Sequence, residues 1–232
     1  LILLGMGGIF LHIRNHRSIV GSLTFMLLIV LCAWWLGFSG IEMLSMNPDL
    51  KILLAKIYFP AITFVPVIWF QFTMLYASHW HKSNHAGIAL LSIIPTISTL
   101  LCWTNELHHA LWSDIFFSPI DSIFMMRVLF GPWFWIHSIY SYLLILIGMI
   151  IIITAGNYPS RFYRHQIAVI ILGVLVPVTV NVIYVFFSNP FTHIDFTPLS
   201  FSAAIFLIGF GIFRFELFSS YPIARTTAFD EM

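Results

Sequence analysis

The sequence predicts an all-α integral membrane protein, a seven-transmembrane helix bundle with its N-terminus outside and its C-terminus cytoplasmic. Composition is the first reason. Of 232 residues, 60% are hydrophobic and 8% charged, where a soluble domain carries roughly a quarter charged residues; mean hydropathy is +0.97. The second is pattern: apolar runs near the length of a bilayer crossing alternate with short polar segments. The third is charge. If the loops at 12–17, 78–85 and 157–165 share a side with the C-terminus, that side holds Arg14, Arg17, Lys82, Arg161, Arg164, Arg214 and Arg225, seven of the ten Lys and Arg, which places it inside.

Taken in order, the first apolar run, about 1–11, is short, covering about half of the hydrocarbon layer at 1.5 Å per residue. Leu1 in place of Met leads us to expect a native start further upstream, and no signal-peptide pattern precedes this run. Span two covers about 19–41. Asn47-Pro48-Asp49 then suits a turn leading into a helix start, and span three covers about 51–76 with Pro60 and Pro66 inside. Span four, about 87–104, contains Pro95, and a long polar and aromatic segment runs from Asn105 to Gly131. Spans five, six and seven cover about 132–154, 166–187 and 199–215, and Pro177 lies in the sixth. Prolines are tolerated in membrane helices where neighbours satisfy the freed carbonyls. No internal repeat or pair of matching broken helices points to an inverted-repeat transporter.

Candidate site residues gather in the outer half. If the helix of span four continues, Asn105, His108, His109 and Trp112 share one face at i, i+3, i+4 and i+7, with Trp103 before them and Asp114 after. Span five opens with Trp133, and His137, Tyr140 and Ser141 share a face; Asn181 and Tyr184 pair at i, i+3 in span six. Asn189 and Asp195 lie in the polar loop before span seven. Polar groups within spans face the bundle interior, as pathway, pocket or interhelical contact. The blander reading of Trp34, Trp35, Trp80, Trp103 and Trp133 is an interfacial belt.

Several chemistries find no support. Adjacent His108 and His109 diverge by about a hundred degrees on a helix, and no His-x-x-x-His pair with a Glu lies in the outer half, so no metal is expected. His137 alone lies well inside a span, which is too few for haem ligation, and span seven lacks the lysine a retinal would need. Cys32 and Cys102 sit in apolar runs and read as buried thiols. There is no nucleophile elbow and no phosphate-cradling loop, so neither enzyme activity nor a cofactor is expected. A net charge of +1 offers no stripe for nucleic acid. A transporter or channel is the competing class, but spans five and seven turn apolar below Tyr142 and Ser202.

Four motifs carry a resemblance: Thr104-Asn105…His108…Trp112-Ser113-Asp114; Gly131-Pro132-Trp133-Phe134-Trp135-Ile136-His137…Tyr140-Ser141-Tyr142; Asn189-Pro190-Phe191-Thr192-His193-Ile194-Asp195…Thr197-Pro198; and Arg214-Phe215…Leu217…Pro222-Ile223-Ala224-Arg225. In this order, with seven spans, they resemble the N-terminal seven-transmembrane sensor region of prokaryotic histidine kinases. The resemblance implies a sensor domain over 1–218 and a cytoplasmic linker helix over 219–232, leading to a PAS and kinase or a cyclase output domain. It also implies a multi-pass protein of the prokaryotic cytoplasmic membrane, a homodimer through output domains, and a response regulator as partner. The aromatic rim with Glu106, Asp114, Asp121 and Asp195 suits a small aromatic or cationic ligand. Gly209 and Gly211, with Arg214, Pro222 and Arg225, are the expected transmission residues.

Overall fold

The computed structural model describes residues 2–14, 21–77, 85–120, 123–155, 161–187 and 195–215. Helices α1 (Ile2–Arg14), α2 (Ser22–Leu44) and α3 (Pro48–Tyr76) come first. Asn47 caps α3, its side chain accepting the Leu50 amide at 3.1 Å, with Pro48 and Asp49 in the first turn. A proline lacks an amide the first turn would leave unpaired, and an acid there meets the positive end of the helix dipole. Helices α4 (His85–Leu91) and α5 (Ile93–Trp103) form one 18-residue apolar stretch from Ala86 to Trp103, interrupted at Ser92. A one-turn α6 (Asn105–His108) follows, then strands β1 (Trp112–Ile120) and β2 (Ile123–Phe130). Helices α7 (Pro132–Ala155), α8 (Arg161–Phe187) and α9 (Thr197–Phe215) complete the described chain.

Among the described residues five helices are long and apolar enough to cross a membrane, while Ile2–Arg14 and Thr197–Gly209 are shorter apolar helices. The central one is α3: 61% of its apolar window is buried, against 17–39% for the other four long helices. It packs on α2, α5 and α7, while α8 pairs with α9, and α1 and α9 both reach α2. The main core joins Met6 and Ile9 of α1, Phe25 and Ile29 of α2, and Trp69 and Phe72 of α3 to Ile152, Ile170, Ile205 and Ile208. On the outside of α7, Ile136, Ile139, Leu143, Ile147 and Ile150 form an exposed apolar stripe at helical spacing. Such a face is at ease where the solvent is hydrocarbon rather than water.

One element departs from the all-α expectation. The segment after α6 is an antiparallel hairpin paired from Trp112↔Phe130 to Ile120↔Ile123, with an irregularity between Trp112 and Asp114. Its residues, such as Ile115-Phe116-Phe117 and Val128-Leu129-Phe130, are the branched and aromatic types that suit a strand. The helix of span four therefore does not run on to Trp112. It ends at His109, whose φ of 52° lies in the left-handed region and turns the chain away.

Candidate functional site

Asn105 is the pivot of this turn. Its Oδ1 accepts the amides of Leu111 and Trp112 at 3.1 and 3.0 Å, and its Nδ2 donates to the Trp112 carbonyl at 2.9 Å. Asn105 is buried and committed to the backbone. His108, exposed, accepts the Ala110 amide on Nδ1 at 3.0 Å, so its proton sits on Nε2 and points to Thr104 Oγ1 at 3.1 Å. The hairpin returns to the same place: the amides of Gly131 and Trp133 donate to the carbonyls of Leu111 and Ala110 at 2.8 and 2.9 Å. A Cβ on Gly131 would collide with the Ala110 carbonyl, so glycine is required here. The helical face expected for Asn105, His108, His109 and Trp112 is thus a turn clamp, with Trp112 alone directed into the bundle.

A second polar cluster joins α5 to α7. His137 is buried with Ser98 Oγ 3.1 Å from Nδ1 and Ser141 Oγ 3.1 Å from Nε2, and Trp133 Nε1 donates to Ser98 Oγ at 2.9 Å. With the Ser98 proton on the Ile94 carbonyl at 2.8 Å, His137 carries its proton on Nδ1 and accepts from Ser141. Tyr140 donates to the Leu91 carbonyl. That carbonyl is the one Pro95, four residues on and lacking an amide, cannot satisfy. Trp133 and Tyr140 therefore bond neighbouring helix groups, and Trp35, expected in an interfacial belt, is buried at 4% exposure. Trp34 and Trp103 keep exposed faces.

The space that remains is a cavity of about 370 Å³. It lies where the end of α2 (Trp35, Glu42), the start of α3 (Lys51, Tyr58, Phe59) and the hairpin (Trp112, Met126, Phe130) converge with Phe134 of α7. Asn181 and Tyr184 of α8 and Asp195 ahead of α9 close the wall. Of the sequence-derived candidates, Trp112, Asn181, Tyr184 and Asp195 line it. Trp103, His108 and Asp114 are exposed elsewhere, and Asn189 lies outside the described residues, as does Asp121. Glu106 faces away, 2.5 Å from Lys56 Nζ, and that hydrogen bond holds its carboxyl below the usual range.

Sequence reasoning missed Glu42, Lys51 and Tyr58. Lys51, 1% exposed at its side chain, reaches Glu42 Oε1 at 2.9 Å and the Glu42 carbonyl at 2.6 Å. The hydroxyls of Tyr58 and Tyr184 have no hydrogen-bond partner among the described residues. Asn181 accepts from Tyr142 at 2.7 Å and donates to Thr197 Oγ1 at 3.4 Å. Thr197 in turn donates its amide to Asp195 Oδ1 at 2.8 Å, so the cavity wall and the first turn of α9 share one hydrogen-bonded chain. Removal from water pushes the Asp195 carboxyl above its ordinary value, partly offset by the bonds from Thr197. Among the described residues no group of three His, Cys, Asp or Glu could hold a metal, and Cys32 and Cys102 are buried and unbridged.

Fold and composition define a helical, multi-pass membrane protein. Residues 1–222 match the family described as the N-terminal 7TM region of histidine kinase, and the chain belongs to that family. No curated protein matches it. The expected transmission residues Gly209 and Gly211 are buried in α9, Arg214 is in its last turn, and Pro222 and Arg225 lie outside the described residues.

Proposed function

We propose that this chain is the sensor module of a histidine-kinase-type protein, crossing a prokaryotic cytoplasmic membrane seven times with its N-terminus outside. The five long apolar helices, with α1 and α9 as the shorter crossings, support that count, and the unequal division of Lys and Arg supports the orientation. A small extracellular or membrane-borne molecule binds in the outer cavity and biases the bundle between two arrangements through its differential affinity. Helix α9 carries the bias to paired output domains, and a response regulator receives the phosphoryl group. The observation that carries this reading is the cavity: it holds tyrosine hydroxyls without a partner among the described residues and is hydrogen-bonded directly to the first turn of α9. Its size falls at the lower end of small-molecule sites. Beneath it the core of Phe25, Ile29, Trp69 and Phe72 packs shut, which favours reception over passage.

The test uses the full-length protein in lipid nanodiscs and the cavity-filling change Ser39→Trp, at a residue of α2 that also lines the cavity. Autophosphorylation is followed across a panel of small molecules. Compounds should alter the wild-type rate and leave the Ser39→Trp rate unchanged, with both proteins melting alike. A response that survives the filled cavity removes the cavity from the mechanism.

A further inference from the structure

The disposition of charge around the cavity indicates what it receives, an inference that rests on the sensor reading. Among the described residues three charged side chains face the space: Glu42, Lys51 and Asp195. The first two form a closed pair, with Lys51 Nζ held by both the carboxylate and the carbonyl of Glu42. Asp195 has no cation partner among the described residues; its Oδ1 accepts the Thr197 amide, and the Thr197 side chain also bonds the carboxylate. Tyr58 and Tyr184 line the same cavity as Asp195, and their hydroxyls have no hydrogen-bond partner among the described residues. The remaining wall is largely apolar and aromatic, including Phe59, Trp112, Phe130 and Phe134.

We propose that the cavity is a receptor site for a protonated primary amine carried on an apolar or aromatic body, with its ammonium on Asp195. An ammonium offers three donors, and the Asp195 carboxylate and the oxygens of Tyr58 and Tyr184 offer acceptors for them. The single charge follows from the balance of the wall. Glu42 and Lys51 cancel, so a monocation neutralises what is left, a neutral ligand leaves a sequestered anion unpaired, and an anion adds a second. The ring faces of Trp112 and Phe130 suit both the apolar body and a nearby cation. Because Asp195 also holds the first turn of α9, a ligand that pulls on its carboxylate acts on that helix directly.

The experiment titrates the full-length protein in nanodiscs with three probes of one shape, 2-phenylethylamine, 2-phenylethanol and phenylacetate, by calorimetry. The amine should bind, and the alcohol and carboxylate should bind about tenfold more weakly or worse. Asp195→Asn should cost the amine about tenfold or more and Tyr184→Phe a few-fold, while Asp114→Asn on the exposed hairpin changes nothing. Thermal melts establish that the variants are folded. An amine that binds no tighter than the alcohol, or that ignores Asp195→Asn, overturns the assignment. If the alcohol or carboxylate binds better and Ser39→Trp blocks it, the amine inference fails and the sensor reading stands. If no probe binds and the Ser39→Trp protein responds to the panel as the parent does, both fall.

Discussion

At the level of single side chains, burial of a polar group has two outcomes in this bundle, and Asn105 and Asp195 represent them. Asn105 spends its amide on three backbone bonds across six and seven residues of chain, so it is buried without an unmet partner. Asn105→Ala strands two amides and a carbonyl at the root of the hairpin, and a loss of about 3 kcal/mol is expected, read as a lower unfolding midpoint in detergent. Asp195 is the opposite case, since its carboxyl is raised by removal from water. A raised carboxyl means the folded state holds its proton in a pH range where the unfolded chain has released it. Stability therefore falls as pH rises from the ordinary carboxylate value, roughly 3.9, through the raised one. Asp195→Asn keeps an oxygen for the Thr197 amide and has no charge to bury. It should flatten that slope and melt higher than the parent at neutral pH, while weakening amine binding. A mutant that melts lower at neutral pH would mean the charge is compensated by groups other than Thr197.

Elements differ in how plainly the sequence announces them. The long helices are legible because hydrocarbon imposes one requirement, an apolar run with internally bonded backbone, and Asn47-Pro48-Asp49 even marks a start. The hairpin is hidden for a physical reason. Its strands alternate only faintly, and Asn105, His108, His109 and Trp112 mimic a helical face that His109 then breaks at φ 52°. The available signal was two branched and aromatic runs on either side of Asp121-Ser122. Of the site, the residues at span ends were legible, whereas Glu42 and Lys51 looked like span boundaries because their pairing is tertiary. The pair of Lys56 with Glu106 is similar, linking α3 to the turn beneath the hairpin. Its Lys56 side chain is 10% exposed and its Glu106 62%, so the pair is largely screened on one side. Glu106→Gln should cost on the order of 1 kcal/mol. Because the Glu106 carboxyl is lowered in the fold, that difference is complete above the ordinary glutamate value, roughly 4.3, and vanishes as pH falls through the lowered one. Melts of both proteins at pH 7 and pH 3 check the sign; a difference that persists at the lower pH would assign the effect to packing.

For the whole molecule, the issue is how a change at the cavity reaches the far end of the bundle, and α9 is the element placed to carry it. Its first turn is bonded to Asp195, and Gly209 lies about 18 Å along the axis at 1.5 Å per residue. There it meets α1 closely: a Cβ on Gly209 would sit 2.6 Å from Ile9 Cδ1, while Gly173 of α8 gives similar room to Ile208. Small residues thus let α9 lie against two neighbours on different sides, and Gly211, two residues on and about 200° round the helix, is also buried. Where helices pack this tightly, a shift is transmitted as a choice between packings rather than a gradual bend. Replacing Gly209 and Gly211 together with leucine overpacks that contact by about 1–3 kcal/mol, enough to move a two-state balance roughly ten- to hundredfold. The cavity, formed by residues up to Leu199 on this helix, is left in place. The double variant of the full-length protein should then bind its ligand within a few-fold of the parent while its autophosphorylation no longer responds. Equal loss of binding and response would reduce the two glycines to folding residues and leave α9 without a part in relay.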